Sequence, residues 1–567
     1  MKTRQPRSNP TAGSGTAIAG LTAILAIHVA SVGAAIGTSR WQEHVTAAGA
    51  TAADVVSIQE SFGALNPAER AKIEEYWETT SLSKLEKVFR FRHVEVWHDA
   101  SEATPKPLYS DAFPVRSPES LLRVSIPNTT INAVTVDPKD GSCHVVATVT
   151  HPPANDQVKV FVALPMRTWN GRLLGIGGMG FAGGQGPEGL GDPVAKGFAS
   201  ATTDTGHEGS DASFTLDSSR RLNWQEIRDF AYLGVHDMTI VGKALTESFY
   251  GKPARYSYFK GNSTGGRQGI AEAERYPADY DGIVVGSPAI NMNRFASAMI
   301  WPQVVMLELG DFVSKAKFDA VNAALISACD GLDGTMDGFI DNPIGCKWDP
   351  EVLVGTSVGG AIFTKIDAEV VREIWKGPHR QDGSFMWYGL PRGADLSVLA
   401  ATAGSPLRGK PEGLDWIRYC GLLDPDWQWT TITRGKFELL WNQMAEQYGE
   451  VLGNEHPDLK RFRELGHRLI IFHGLADPIV PVEGSIAYYE RLQTKSSRVA
   501  DFVRLFLAPG YGHGYSSTGP TPVGEMDAII RWVEAHEAPD QLKAIQWDPH
   551  GKVIGSRLLD RFPGNQN

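Results

Sequence analysis

The chain has 567 residues, 42% hydrophobic and 21% charged, a globular balance that excludes bulk disorder and a bare coiled coil and allows more than one domain. Lysine and arginine number 54 against 65 acidic residues, a net charge of −11, so nothing here attracts a phosphate backbone and no nucleic-acid partner is expected. Four cysteines are too few for a disulfide scaffold.

The N-terminus is basic (Lys2, Arg4, Arg7) and leads into a mostly apolar run from Ala17 to Ile36, broken by His28, with small residues Val32, Gly33 and Ala34 near its end. This pattern predicts a secretory signal over residues 1–40, cleaved or retained as an anchor, and hence a secreted protein. No later apolar stretch is long enough to span a bilayer, so no membrane insertion is expected after processing. Residues 41–125 read as a mostly helical N-terminal region, with charges such as Glu69, Arg70, Glu74 and Glu75 on a solvated face. Asn128-Thr129-Thr130 is a glycosylation sequon, in keeping with secretion.

From His144 the texture changes. His144–Thr150 and Val158–Ala163 alternate like strands. Strand and helix patterns then take turns: Tyr256–Lys260 a strand, Thr264–Arg275 a helix stopped by Pro277, and Gly282–Val285 a strand. Later, Arg468–His473 reads as a strand, Glu483–Gln493 as a helix and Phe502–Ala508 as a strand. Alternation of this kind predicts a largely parallel, doubly wound α/β sheet. The intervening stretch is rich in Trp, Gly and Pro without clear strands. It predicts an inserted domain over 291–464, with the α/β domain formed by 126–290 and 465–567.

Gly261-Asn262-Ser263-Thr264-Gly265 fits G-x-S-x-G between a strand and a helix, the setting in which a nucleophilic serine is lifted above a sheet. The turn is tight enough to require small flanking residues. It puts the Thr264 N–H at a helix N-terminus, where a developing oxyanion is stabilised. A serine needs a base, and the base an orienting acid, following in that fold in the order Ser, Asp, His. Asp477 lies in the loop after one late strand and His513 in the glycine-rich loop after the next. His207 and His473 are weaker candidates, and His473 reads as a buried core residue.

Gly175-Ile176-Gly177-Gly178-Met179-Gly180 contains G-x-G-x-x-G, but no helix opens behind it and no acid follows at the distance a ribose would need. The loop is better explained as the source of a second oxyanion N–H, placed at Gly178 with Gly177 as its neighbour. The stretch Cys329–Asp341 carries Asp330, Asp333, Asp337 and Asp341 among glycines. Carboxylates of Asp330, Asp333 and Asp337 with the carbonyls of Thr335 and Phe339 would suit Ca²⁺, although Ile344 stands where an EF-hand needs Glu. Cys329 and Cys346 bracket this loop, and a bridge between them would fix its ends. Cys143 and Cys420 have no partner by spacing.

These motifs resemble the tannase and feruloyl esterase family, which includes relatives acting on mono(2-hydroxyethyl) terephthalate. The resemblance runs from about residue 125 to 545 and covers Trp169–Arg172, the glycine loop, Thr203–His207, Gly261–Gln268, Tyr276-Pro277, Asp281-Gly282, Cys329–Cys346 and the Asp477 and His513 loops. It implies an α/β-hydrolase core with an inserted, calcium-binding lid that shapes the acyl pocket. It further implies a triad of Ser263, Asp477 and His513, an oxyanion hole at Thr264 and the glycine loop, and a structural Ca²⁺ on Asp330, Asp333, Thr335, Asp337 and Phe339. Members usually carry a disulfide joining the residue before the serine to the residue after the histidine; here those positions are Asn262 and Gly514. The expected activity is hydrolysis of small aromatic esters, feruloyl-type first, through an acyl-enzyme. Galloyl or terephthalate monoesters, or acyl transfer by the same triad, are the alternatives; an intact triad argues against a non-enzymatic binding protein. Trp301, Phe385, Trp387, Tyr388, Trp427 and Trp429 are candidates for the acyl pocket, with core packing expected for most of them.

Overall fold

The computed structural model describes residues 42, 104–110, 112–137, 141–400, 411–455, 457–514, 519–548 and 552–563. The expected signal segment and most of the expected helical region 41–125 lie outside these residues; the described end of that region carries one short 3-10 helix, Pro118–Arg123. The chain falls into two compact units, Met1–Val94 with Trp547–Ile554, and Glu95–Gln546 with Gly555–Asn567. In the first, the described residues include a turn closed by Asp548, whose N–H donates to the Lys552 carbonyl at 2.8 Å. The second unit holds everything that follows.

Its strands are β1 (Thr129–Asp137), β2 (Ser142–Val149), β3 (Val158–Pro165), β4 (Arg172–Ile176), β5 (Ala199–Thr203), β6 (Tyr256–Asn262), β7 (Gly282–Gly286), a small pair β8 (Ser357–Val358) and β9 (Ala361–Ile362), β10 (Arg468–Gly474), β11 (Val503–Ala508), β12 (Thr521–Val523), β13 (Gln541–Trp547) and β14 (Val553–Phe562). Twelve form one sheet in the order β1-β2-β3-β5-β4-β6-β7-β10-β11-β14-β13-β12. The centre, from β5 through β4, β6, β7 and β10 to β11, is parallel. Antiparallel pairs β1–β2, β2–β3, β3–β5, β11–β14 and β12–β13 flank it. The α/β class holds, and the parallel strands occupy the middle, where every residue of β4, β5 and β7 is buried.

Helices Gly234–Tyr250, Thr264–Arg275, Glu483–Lys495 and Glu525–Ala535 accompany this sheet. Between β7 and β10 the chain leaves it for a largely helical insertion built from Met292–Ala298, Trp301–Leu309, Lys315–Cys329, Lys365–Lys376 and Arg434–Gln447. The helix Lys365–Lys376 shows why these segments fold locally: Thr364 and Asp367 form a reciprocal capping box, and Val370, Val371 and Ile374 make its buried stripe. The insertion has its own apolar core, which includes Trp301, Trp387, Trp427 and Trp441. That core is continuous with Phe181 behind the glycine loop and with Ile479 and Val480 behind Asp477. No described helix is long and apolar enough to cross a membrane.

Two sequence motifs are scaffold. Trp169 stacks on Tyr250 at 3.9 Å, and Arg172 is held bidentately by Glu534, both bonds 2.6 Å. Asp204 accepts the N–H groups of Lys159 and Gly206, each at 2.8 Å. Thr205 then walls in the glycine loop, since a Cβ on Gly183 would lie 1.9 Å from its hydroxyl.

Candidate active site

β6 ends at Asn262, and the helix Thr264–Arg275 begins one residue later, so Ser263 alone turns the corner. Its backbone pays for this with φ 57°, ψ −119°, a conformation unusual for a residue with a side chain. The glycines are steric requirements: a Cβ on Gly261 would come within 2.4 Å of the Gly265 backbone, and one on Gly265 within 2.8 Å of the Gly178 carbonyl.

The structure brings the three expected residues together. Ser263 Oγ lies 2.8 Å from His513 Nε2, and His513 Nδ1 lies 2.7 Å from Asp477 Oδ2. Asp477 is fully buried, and its Oδ1 accepts the N–H groups of Ile479 at 2.8 Å and Val480 at 2.9 Å. Burial works against its charge, yet His513, with help from His473, holds the carboxyl well below its ordinary range. His473 is the core histidine expected, bonded to Ser485 Oγ at 2.8 Å and the Val480 carbonyl at 3.0 Å. It also stands 3.3 Å from Asp477 Oδ2, a support that only three dimensions reveal. His207 is not part of this line: Nε2 meets the Phe181 carbonyl at 2.6 Å, and the ring stacks on Phe214.

Thr264 opens its helix, so its N–H has no intrahelical carbonyl to reach and is free for an oxyanion. The expectation for Gly178 needs correction. Its N–H donates to Gln268 Oε1 at 2.9 Å, while Gln268 Nε2 donates to the Gly183 carbonyl at 2.9 Å. The Gly177 N–H goes to the Lys260 carbonyl and the Met179 N–H to the Ala182 carbonyl. That leaves Gly180, whose N–H has no partner among the described residues and whose carbonyl accepts the Thr264 hydroxyl at 2.6 Å. Gln268, one turn into the nucleophile helix, is the residue the sequence reading missed; a buried amide among glycines was the available signal.

Where a disulfide would join the serine and histidine loops, Asn262 and Gly514 face each other: a Cβ on Gly514 would lie 3.3 Å from Asn262 Nδ2. The bridge that does form is Cys329–Cys346, with Cα atoms 5.6 Å apart. Cys143 and Cys420 are free and buried, and burial pushes both thiols up to about 12, which leaves them inert.

In the acidic loop, Asp330 Oδ1 and Oδ2 accept the N–H groups of Asp337 and Gly338 at 3.1 and 3.0 Å, which curls the chain. Asp341 is taken up by Arg557 at 2.8 Å. Asp333 and Asp337 stay exposed, and burial followed by the charges of Asp341 and Asp330 raises the Asp337 carboxyl. The carbonyls of Thr335 and Phe339 accept no hydrogen bond among the described residues. Crowded carboxylates and free carbonyls are hard oxygen donors with surplus negative charge, so these residues fit Ca²⁺. The loop also touches the histidine arm, since Phe339 packs where a Cβ on Gly510 would meet it at 2.6 Å.

Of the lid aromatics, Trp301, Trp387 and Trp427 are buried core, Tyr388 and Trp429 pack against it, and Phe385 is exposed. An apolar cavity of about 290 Å³ lies among Phe295, Met299, Trp301, Tyr388 and Leu399 and shares Ile479 with the Asp477 loop.

The family model for tannase and feruloyl esterase matches residues 143–407 and 424–566. A relative described as a probable feruloyl esterase from Arthroderma benhamiae is 38% identical over 459 residues, covering 77% of this chain and 83% of the relative. The crystal structure of feruloyl esterase B from Aspergillus oryzae superposes with a TM-score of 0.69 at 25% identity, covering 79% of this chain and 95% of that one. A tannin acyl hydrolase from Aspergillus niger shares the fold, with a TM-score of 0.70 at 24% identity over 79% of this chain and 92% of its own.

Proposed function

The chain belongs to the tannase and feruloyl esterase family and is a carboxylic ester hydrolase; from that premise we propose that it cleaves esters of aromatic, hydroxycinnamoyl-type acids through an acyl-enzyme on Ser263. The observation that carries the reading is the unbroken line from Ser263 Oγ through His513 to Asp477, at 2.8 and 2.7 Å. His513 takes the Oγ proton as Oγ attacks the ester carbonyl carbon. Asp477 fixes the tautomer and stabilises the imidazolium. The Thr264 and Gly180 N–H groups receive the oxyanion, and Gln268 braces the glycine loop by occupying the Gly178 N–H. His513 then passes the proton to the leaving alcohol oxygen, and water repeats the sequence to release the acid. The aromatic acyl group is supported by the substrates named for the relatives and by the aromatic lining of the lid cavity.

In this reading residues 291–464 are the lid that shapes the acyl pocket. Asp330, Asp333 and Asp337 with the carbonyls of Thr335 and Phe339 hold Ca²⁺, which neutralises the loop. Through Phe339 it stiffens the turn leading to His513. The protein is secreted, as the N-terminal segment and the Cys329–Cys346 bridge favour. A panel of methyl ferulate, methyl gallate and a terephthalate monoester tests the substrate class. The highest kcat/KM is expected for the ferulate, and a preference for either of the others would reassign it.

A further inference from the structure

Away from the active site, His151, Asp156, Asp229 and Asp237 meet in one cluster. His151 and Asp156 come from the turn between β2 and β3, Asp229 from the short π-helix Asp229–Leu233, and Asp237 from the helix Gly234–Tyr250. His151 Nδ1 lies 2.6 Å from Asp156 Oδ2 and 3.8 Å from Asp229 Oδ1, and Nε2 lies 3.2 Å from Asp237 Oδ2. Potential ligand atoms of His151, Asp156 and Asp229 all fall within 4.8 Å of one another.

The charges do not balance. One imidazole faces three carboxylates whose side chains are 2% (Asp156), 0% (Asp229) and 13% (Asp237) exposed. Among the described residues no lysine or arginine forms an ion pair with any of the three. Asp229 Oδ1 accepts from Gln225 Nε2 at 2.8 Å, but Oδ2 is buried with no partner. An orphaned buried carboxylate oxygen is costly and calls for either a proton or a cation. Burial, followed by the charge of Asp156, pushes the Asp229 carboxyl up to about 7, so ionised it lacks a counter-charge.

We propose that this cluster binds one divalent transition-metal cation, best matched by Zn²⁺, through His151 Nδ1, Asp156 and Asp229. An imidazole nitrogen among carboxylates suits a borderline cation rather than Ca²⁺ or Mg²⁺. Asp237 at Nε2 supplies the outer carboxylate that orients a ligating imidazole. Binding displaces the protons the cluster otherwise holds. The site is structural: it staples the β2–β3 turn to the segment that enters the Gly234–Tyr250 helix. The neighbouring trio His236, Glu272 and Asp279 is less suited, because Lys243 already donates to the Asp279 carbonyl and Tyr276 stacks on the imidazole at 3.8 Å.

The test is calorimetric titration of chelator-treated, full-length protein with Zn²⁺ at neutral pH, with Ca²⁺ saturating. The expected result is one Zn²⁺ per chain, proton release, and a Tm raised by several degrees. Asp229→Asn and His151→Gln should each weaken binding at least tenfold while esterase turnover stays at the wild-type level. No Zn²⁺ uptake by the wild type, or equal uptake by the wild type and both variants, overturns the proposal. Should His151→Gln fail to fold, Asp229→Asn decides alone, since it keeps an acceptor for Gln225; wild-type affinity in it also overturns the proposal.

Discussion

Asp477 and Asp229 are both fully buried, yet they are held in opposite charge states. Asp477 has two backbone N–H donors on one oxygen and two imidazoles around the other, and it stays ionised. Asp229 has one amide donor, an unpartnered oxygen and other carboxylates beside it, and its carboxyl is driven up. Burial alone therefore decides nothing: a buried carboxylate keeps its charge where donors are built around it, and elsewhere it waits for a proton or a metal.

The contrast can be broken most forcefully at the compensated end. Ser263→Ala or His513→Ala should each lower kcat on the order of a million-fold, because triad members act as a unit. Circular dichroism should show the fold intact, and activity within tenfold of wild type would remove the assignment. Asp477→Asn should cost about ten-thousand-fold by losing the tautomer and the imidazolium partner. The same exchange at Asp229 should leave kcat unchanged, and comparable losses in both variants would erase the distinction.

The pH dependence of stability sharpens the comparison. Asp477, depressed when folded, contributes stability that is present above the ordinary aspartate value of 3.8 and lost as pH falls below it. Asp229, raised to about 7, has the opposite sign: ionising it opposes folding, and that penalty grows as pH rises from 3.8 toward 7. In metal-free protein Asp229→Asn should therefore melt higher than wild type at pH ~8, with the gap closing near pH ~4. A gap independent of pH would show that Asp229 does not carry this charge.

How these features reach the reader differs too. The helix Thr264–Arg275 was legible because Pro277 follows it and glycines precede it, and it forms over those residues. Asp477 and His513 were legible because each follows its own strand in chain order. The Asp229 cluster left no spacing signal, since its members come from a β-turn and a helix some seventy residues apart in sequence, joined only by packing. The Gly178 expectation failed for a related reason. A glycine loop announces free N–H groups, but not that Gln268, on another element, has taken one of them.

Smaller effects concern the loops around the triad. Chelating Ca²⁺ should lower Tm before it lowers kcat at low temperature. If Asp333→Ala abolished activity with stability unchanged, the acidic loop would belong to catalysis. Asn262→Cys with Gly514→Cys should oxidise and raise Tm modestly, well below the ceiling of about 5 kcal/mol for so long a loop. Gly514 has φ +81°, so a cysteine there is strained and takes back part of the gain. Failure to oxidise would mean that the two loops are not held as close as the Asn262–Gly514 contact indicates.

The central claim is that Ser263 carries the acyl group. Wild-type enzyme mixed with a slowly turning-over aromatic ester and quenched within the first turnover should show, by intact-mass and peptide mass spectrometry, one acyl adduct on Ser263, and Ser263→Ala should show none. Steady turnover with no adduct, or an adduct mapped to another residue, would contradict the account.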